Sequence, residues 1–523
     1  MKSFRTLGLV ALLALALITG VVYLVLTYVA PMDASLRSAT LLTAVLAVLL
    51  IGPFVHQVIW RRKLYVLEPL IIFSLYIFLG YISPIPSFVV GSDVFTHLFG
   101  ATFYTDLNKS LSWALVIVIL GVIGFYLGHA AVRFRRRNPS EVPGSERPFN
   151  WNRERLLTIG IIYTVAGISL FGVGVVLLGG FNALLAGLYD RLRLFAGLNY
   201  FIQSINLLAV VSLIWWVYLL REGRQFRSIA FWVYSVFALL LGCLQGNKSF
   251  LFIVVLSGAV LYHILHKKIA PLTAAAGAVV VFFVLTIFAL FSREYLSNGH
   301  FTTIDPNNLS ETLPTALETE YGGNFIQIQA LTLLVDRMPA DLPYQHGTTY
   351  LSLFTLVVPR ALWPGKLLPS TGVFTLAFQP QLWLDQGTTV PPGLMGEMYM
   401  NFGAAGVFVG MLLSGILIGR AVGYVEQHPN HPRPVLVYAL LTATLPHYLQ
   451  GDFVGGTAMF AIFILPLLFA LWFIERQPGR LAVRARRAVG EVPADTDPSG
   501  RRLGAYGPTR VLHLRGNRQP YHR

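Results

Sequence analysis

The sequence has very little cysteine and little charge. A single cysteine, Cys243, rules out a disulfide within the chain and gives no indication of the redox compartment. Charged residues make up 12% of the 523 residues, whereas about 25% is usual in soluble domains. Hydrophobic residues reach 55%, and the mean hydropathy is +0.64. This composition excludes a soluble globular protein of any common class.

The sequence contains many long apolar blocks. Each is close to the roughly 20 residues that cross a bilayer core as a helix, and short polar stretches separate them. The sequence therefore predicts an all-α, polytopic integral membrane protein with about twelve transmembrane helices. The predicted spans are residues 7–29, 39–60, 67–82, 111–132, 156–178, 200–220, 228–244, 250–266, 271–291, 394–422, 435–449 and 454–473. The first block is interpreted as an anchor because it is longer than a typical signal-peptide core.

The distribution of lysine and arginine predicts the orientation. With the N-terminus in the cytoplasm, 30 of the 39 basic residues fall in inner segments, as the positive-inside rule requires. Both termini are then cytoplasmic, and the basic balance reflects topology and not nucleic-acid binding. Residues 1–475 are predicted to form the membrane domain, and residues 476–523 a basic, disordered cytoplasmic tail.

One long outer segment, residues 292–392, lies between the ninth and tenth predicted spans. Segments of this length are usually functional in compact folds, so we expect the chemistry there. Its apolar stretch 350–359 is too short to span and is expected to be re-entrant or interfacial. A shorter outer segment, 179–199, is the second candidate region.

Several outer basic residues oppose the positive-inside bias and are candidates for binding an anionic group. They lie at the outer ends of different spans, where they could converge, and the planar fork of arginine suits a diphosphate. The alternative is a set of ordinary interfacial charges. The candidates are Arg191, Arg193, Lys248, Arg293, Arg360 and Lys366.

Two motifs in the C-terminal half resemble those of a known family. The run VPRALWPGK at 358–366 is followed, thirty residues later, by GEMYMNFGAAG at 396–406. Together they resemble O-antigen and oligosaccharide repeat-unit polymerases of the Wzy type, whose fold is related to C-type glycosyltransferases that use lipid-linked sugars. The resemblance covers residues 293–419, whereas the N-terminal half matches mainly in hydropathy.

The resemblance implies a polymerase in the bacterial plasma membrane. Such enzymes join undecaprenyl-diphosphate-linked repeat units into O-antigen, capsule or exopolysaccharide on the outer face. The implied partners are this lipid-linked oligosaccharide, membrane lipid and a chain-length regulator, with no nucleic acid.

The chemistry requires charge stabilisation on the leaving diphosphate and a base for the acceptor hydroxyl. Glu397 is the preferred base, since an intramembrane carboxylate is expected to be functional; the alternative is local capping or pairing with Arg360. Glu294 is the second candidate base, and Asp452 with His447 the third. No metal-binding signature appears on the outer face, so neither a metal nor another cofactor is predicted. The candidate sugar-binding aromatics are Trp363, Tyr399 and Tyr295, although interfacial anchoring also explains such side chains.

Two other functions compete with the polymerase. An O-antigen ligase would share the fold and the donor but would typically carry a histidine motif in the outer loop, where His346 lacks a ligase-like context. A polysaccharide or lipid-linked-sugar transporter would need polar or broken helices along a midplane path, whereas the predicted spans are nearly free of charge.

Overall fold

The computed structural model is helical throughout the residues that it describes. These are residues 34–59, 64–90, 104–134, 151–187, 195, 197–224, 226–246, 248–298, 321–356, 358, 362–384, 389–428 and 431–475. No β-strand occurs in these ranges, which confirms the all-α fold class. The predicted tail, 476–523, lies outside them.

The long helices follow the apolar blocks of the sequence. In chain order the helices are α1 (Ala34–Ile59), α2 (Pro69–Ile77), α3 (Ile85–Val90), α4 (Leu107–Phe134), α5 (Arg153–Leu177), α6 (Phe181–Gly187), α7 (Asn199–Gln203), α8 (Asn206–Glu222), α9 (Ile229–Cys243), α10 (Lys248–Leu265), α11 (Pro271–Asn298), α12 (Gln327–Arg337), α13 (Thr348–Thr355), α14 (Ser370–Phe378), α15 (Pro380–Leu384), α16 (Gly393–Gln427), α17 (Pro432–Gln450) and α18 (Phe453–Glu475). A π-helical turn, Phe78–Ile82, follows α2.

Eight helical segments of the described chain are long and apolar enough to cross a membrane. Their exposed faces are rich in large apolar side chains, which is the expected surface of a protein solvated by lipid. The eight are Arg37–Ile59, Pro69–Val90, Leu107–Val132, Arg153–Leu177, Asn199–Glu222, Lys248–Leu265, Gly393–Gln427 and Phe453–Glu475.

The other four predicted spans have different outcomes. The block 7–29 lies outside the described residues. The blocks 228–244 and 271–291 correspond to the shorter apolar helices Ile229–Cys243 and Pro271–Ile287. The block 435–449 falls in α17, which is not among the eight. A membrane-embedded helical protein is therefore shown, while the count of twelve stays a prediction.

Helices α4 and α16 pack closely through glycine. A Cβ at Gly124 of α4 would lie 2.7 Å from the carbonyl oxygen of Phe408, and one at Gly128 would overlap the carbonyl oxygen of Leu412. Small residues at such positions let two backbones approach without a side chain between them, which is a common basis of helix association in lipid. This contact holds α16, which carries Glu397, firmly against α4.

The outer segment is tied to the beginning of α4 through Asp336, in the last turn of α12. The carboxylate of Asp336 accepts hydrogen bonds from the Thr105 N–H at 3.0 Å, the Ser110 hydroxyl at 2.7 Å and the Asp106 N–H at 3.5 Å. Burial acts to raise the pKa of Asp336, but these hydrogen bonds together lower the pKa below its usual value of 3.8. The end of α12 and the beginning of α4 must therefore lie on the same side of the membrane.

Candidate active site

Helix α16 is broken within the GEMYMNFGAAG motif. Phe402 and Gly403 leave the helical conformation, and Gly403 has a φ of +62°, which glycine tolerates best. The break frees the carbonyl oxygens of residues 400 and 401, because the regular helical donors no longer reach them. The N–H groups of Gln345 and His346, just before α13, donate to these two oxygens at 2.9 and 3.2 Å. The outer segment thus replaces the hydrogen bonds that the break removes.

The carboxylate of Glu397 lies one turn before this break and is fully buried, with 0% exposure. Its Oε1 accepts a hydrogen bond from the Thr349 hydroxyl at 3.0 Å, and its Oε2 accepts one from the Phe453 N–H at 2.6 Å. Phe453 is the first residue of α18, so this second bond caps the beginning of a helix that lies 56 residues further along the chain. Glu397 therefore joins α13, α16 and the beginning of α18.

Asn401 completes the connection between α16 and α13. Its side-chain amide donates to the Thr349 hydroxyl at 2.7 Å and to the backbone carbonyl of Glu397 at 2.8 Å. Its side-chain oxygen accepts from the Gly347 N–H at 2.8 Å. All hydrogen-bonding groups of the Asn401 side chain are thus engaged in holding Thr349 against Glu397.

A second buried carboxylate, Asp452, lies beside the same helix beginning. One oxygen of Asp452 accepts from the Gly455 N–H in the first turn of α18, and the other accepts from the Thr371 N–H at 3.3 Å, at the beginning of α14. Negative charge is favourable at helix N-termini, where N–H groups have no helical partner. Among the described residues, neither Glu397 nor Asp452 forms an ion pair; backbone N–H groups bind both, and the Thr349 hydroxyl binds Glu397 as well.

Aromatic rings lie close to the carboxylates. Tyr350 packs against the rings of Phe402 at 6.4 Å and Phe453 at 5.5 Å, measured between ring centroids. Tyr399, predicted to bind sugar, is largely buried and contacts the edge of Tyr344 at 6.3 Å. Phe402 and Phe453 remain partly exposed, so they, more than Tyr399, present ring surface to a ligand.

Lys366, predicted to bind a diphosphate, closes the end of α13. Its ammonium donates to the carbonyl oxygens of Val358 at 2.7 Å, Thr355 at 3.4 Å and Leu356 at 3.5 Å. Thr355 and Leu356 lie at the end of α13 and Val358 lies just beyond it, so Lys366 adds a donor to the turn that follows the helix. Lys366 thus has a structural role, and its contact with a diphosphate stays a prediction. Trp363, in the same motif, is 48% exposed.

The structure describes only some of the remaining predicted site residues. Arg191, Arg193 and Arg360 lie outside the described residues. Arg293, Glu294 and Tyr295 lie near the end of α11, where the backbone alone is described. Lys248 is the first residue of α10 and is partly buried. The structure therefore brings Glu397 and Lys366, of the predicted residues, into contact with α13 and its end.

Sequence reasoning missed Thr349 and the role of Asn401. Asn401 could have been found, because it follows Glu397 by four residues and so lies on the same helix face. Thr349 carried no local signal, since it lies 48 residues from Glu397 and just before the apolar stretch 350–359. Asp452 had been considered only as a third candidate.

One family model matches the chain, over residues 181–427, and is described as a Domain of unknown function (DUF8712). The match includes α13 and Glu397 but ends before Asp452 and α18. No curated protein and no solved structure matches the chain. Because the family's description names no activity, a functional proposal depends on the site itself.

Proposed function

We propose that the chain is a glycosyltransferase of the bacterial plasma membrane that joins undecaprenyl-diphosphate-linked oligosaccharide units into a surface polysaccharide. In this proposal the chain has about twelve spans, and both termini are cytoplasmic. The observation that carries the proposal is the meeting of the two family-like motifs at one short helix. Lys366 of the first motif contacts the end of α13, and Glu397 and Asn401 of the second contact its beginning.

The positions of the contacting residues support an outer site. Glu397, Thr349 and Asp452 belong to different segments, and the lysine and arginine distribution independently assigns each to the outer end of a span or to the outer segment. A donor headgroup rests at this depth, because its polyprenyl chain lies in the bilayer and its diphosphate in the interface.

In the proposed reaction, an acceptor hydroxyl of one lipid-linked unit attacks the anomeric carbon of another. The bond from that carbon to the diphosphate oxygen breaks, and the hydroxyl proton passes to the Glu397 carboxylate. The leaving diphosphate takes the electron pair, and fixed cations such as Arg360 balance its charge. General-base help of this kind contributes roughly 10² to 10⁴ in rate.

The buried position of Glu397 adds a requirement to this mechanism. Thr349 occupies one carboxylate oxygen and the Phe453 N–H the other. Because the carboxylate is fully buried, an acceptor hydroxyl reaches Glu397 only when the covering helix α13 moves. Movement of a short outer element on substrate binding is a common gating step in enzymes.

Deletion of the gene in its native host tests the proposal against its alternatives. A missing polymerase leaves single repeat units on the outer face, whereas a missing ligase leaves full-length polymer on the lipid carrier. A missing transporter leaves single lipid-linked units protected from a glycosidase added outside spheroplasts. Restoration of polymer by the wild-type gene and not by Glu397→Gln supports the proposal, and either of the other two patterns overturns it.

A further inference from the structure

Helix α13 has its polarity reversed relative to a helix that faces water. Thr349 and Ser352, in the middle of the helix, are buried, whereas Leu351 is 52% and Phe354 79% exposed; the terminal residues Thr348 and Thr355 are exposed and partly buried, respectively. The buried pair and the exposed apolar pair lie on opposite faces, since residues three apart share a face of a helix. A water-facing surface helix buries its apolar face and exposes its polar one. The exposed face of α13 is therefore suited to an apolar solvent.

Backbone groups at both ends of α13 form hydrogen bonds within the protein, as a hydrocarbon environment requires. Unpaired carbonyl groups are costly in lipid, which offers them no hydrogen bonds, so they must find partners within the protein. At the end of α13, Lys366 donates to three carbonyl oxygens, and the Tyr200 hydroxyl donates to Leu356 O at 3.4 Å. Before its first residue, the Gly347 N–H is held by the Asn401 side chain. Both ends of α13 thus obtain their hydrogen bonds from the protein.

The exposed apolar surface is continuous with two membrane-crossing helices. The ring of Tyr350 contacts Phe402 of α16 and Phe453 of α18, both of which are exposed and belong to candidate spans. No charged residue occurs between positions 342 and 359. The turn that returns Lys366 to α13 also exposes Leu362, at 79%, and Trp363. A patch of this kind on an outer surface would be costly in water.

We propose that the exposed face of α13, defined by Leu351 and Phe354, lies in the hydrocarbon of the outer leaflet. The occupant of this face is bilayer lipid, which solvates the exposed faces of α16 and α18 next to it. The segment is then a re-entrant helix whose polar face points inward to Glu397 and whose apolar face contacts lipid. This proposal does not depend on the proposed enzymatic activity.

Spin labelling of the full chain in phosphatidylethanolamine and phosphatidylglycerol vesicles tests the proposal. A nitroxide is attached at Leu351→Cys or Phe354→Cys in a Cys243→Ser background, and its collisions with oxygen and with water-soluble NiEDDA are measured. Val409→Cys, on the exposed face of α16, is the lipid control, and Asp341→Cys, on the exposed outer segment, is the water control.

The oxygen-to-NiEDDA ratio at positions 351 and 354 is expected to equal that at Val409 and to exceed that at Asp341. A ratio equal to that at Asp341 would place the face in water and overturn the proposal. Shielding from both reagents would mean that protein covers the face, either a second copy or another partner, and would also overturn it. Because the vesicles contain no polyprenyl lipid, agreement with Val409 identifies ordinary bilayer lipid.

Discussion

The Thr349 hydroxyl donates a 3.0 Å hydrogen bond to the Glu397 carboxylate, and both side chains are fully buried. This bond connects the short outer helix α13 to the broken helix α16. Thr349→Val keeps the shape but leaves a Glu397 oxygen and an Asn401 donor unpaired, which costs about 1–3 kcal/mol. We expect a lower melting temperature in detergent for Thr349→Val, and near wild-type behaviour for Thr349→Ser. Equal stability of the Val and Ser variants would show that the bond contributes nothing.

Glu397→Gln separates basicity from shape. If Glu397 accepts the acceptor's proton, the purified variant should bind the lipid-linked unit with near-normal affinity but extend it at least about a hundredfold more slowly. Glu294→Gln is the matched comparison and should be milder, and chelators should leave the wild type unaffected. Wild-type rates from Glu397→Gln, or a large loss from Glu294→Gln alone, would remove Glu397 as the base. If a chelator abolishes the wild-type activity and added divalent metal restores it, the metal-free mechanism is rejected.

Arg360 and Lys366 belong to one motif, but substitutions at the two positions should have different effects on activity and stability. Arg360→Ala should abolish polymer at normal protein levels, and Arg360→Lys should restore little, because lysine lacks the bidentate fork. Lys366→Met removes the donor for three carbonyl oxygens and should lower the melting temperature as well. Quantitative immunoblots, polymer gels and thermal melts distinguish the two outcomes. Full polymer from Arg360→Ala would exclude Arg360 from the site.

Reporters test the orientation of the outer segment. An extracytoplasmic reporter fused after Asp336 should be active, and a cytoplasmic one inactive, because the predicted topology assigns 30 of 39 basic residues to the opposite side. The same result is expected at Thr105, whose N–H donates to Asp336. Cytoplasmic-type activity at both positions would reverse the whole orientation. Opposite results at the two positions would contradict the contact itself.

The lowered pKa of Asp336 predicts that the stability of the folded chain depends on pH. Its pKa is lowered in the folded protein, so the folded chain binds the Asp336 proton more weakly than the unfolded chain does. The stabilisation is therefore present above the unfolded pKa of about 4 and is lost as pH falls through the folded pKa. Melting temperatures at pH 6 and pH 3 should differ less for Asp336→Asn than for wild type. Asp341→Asn, at an exposed position nearby, is the control, and an unchanged difference in Asp336→Asn would refute the assignment.

The local sequence pattern was sufficient to predict the structural class of the protein and part of the candidate site. Lipid offers no hydrogen bonds to the backbone, so apolar blocks of membrane-crossing length can only be helices, and the structure agrees. Glu397 was selected because a carboxylate at the beginning of an apolar block is expensive to bury without purpose. The four-residue spacing to Asn401 also lies within one helix and can be read locally.

The sequence by itself determined that this is an all-helical membrane protein with a carboxylate at the beginning of a glycine-containing helix. Only the tertiary structure decided what that carboxylate meets. Thr349 and Phe453 lie 48 and 56 residues from Glu397, and Thr371 lies 81 residues from Asp452. Such contacts depend on how separate helices pack, because hydrogen-bonding groups buried from water and lipid must find partners wherever the fold brings them.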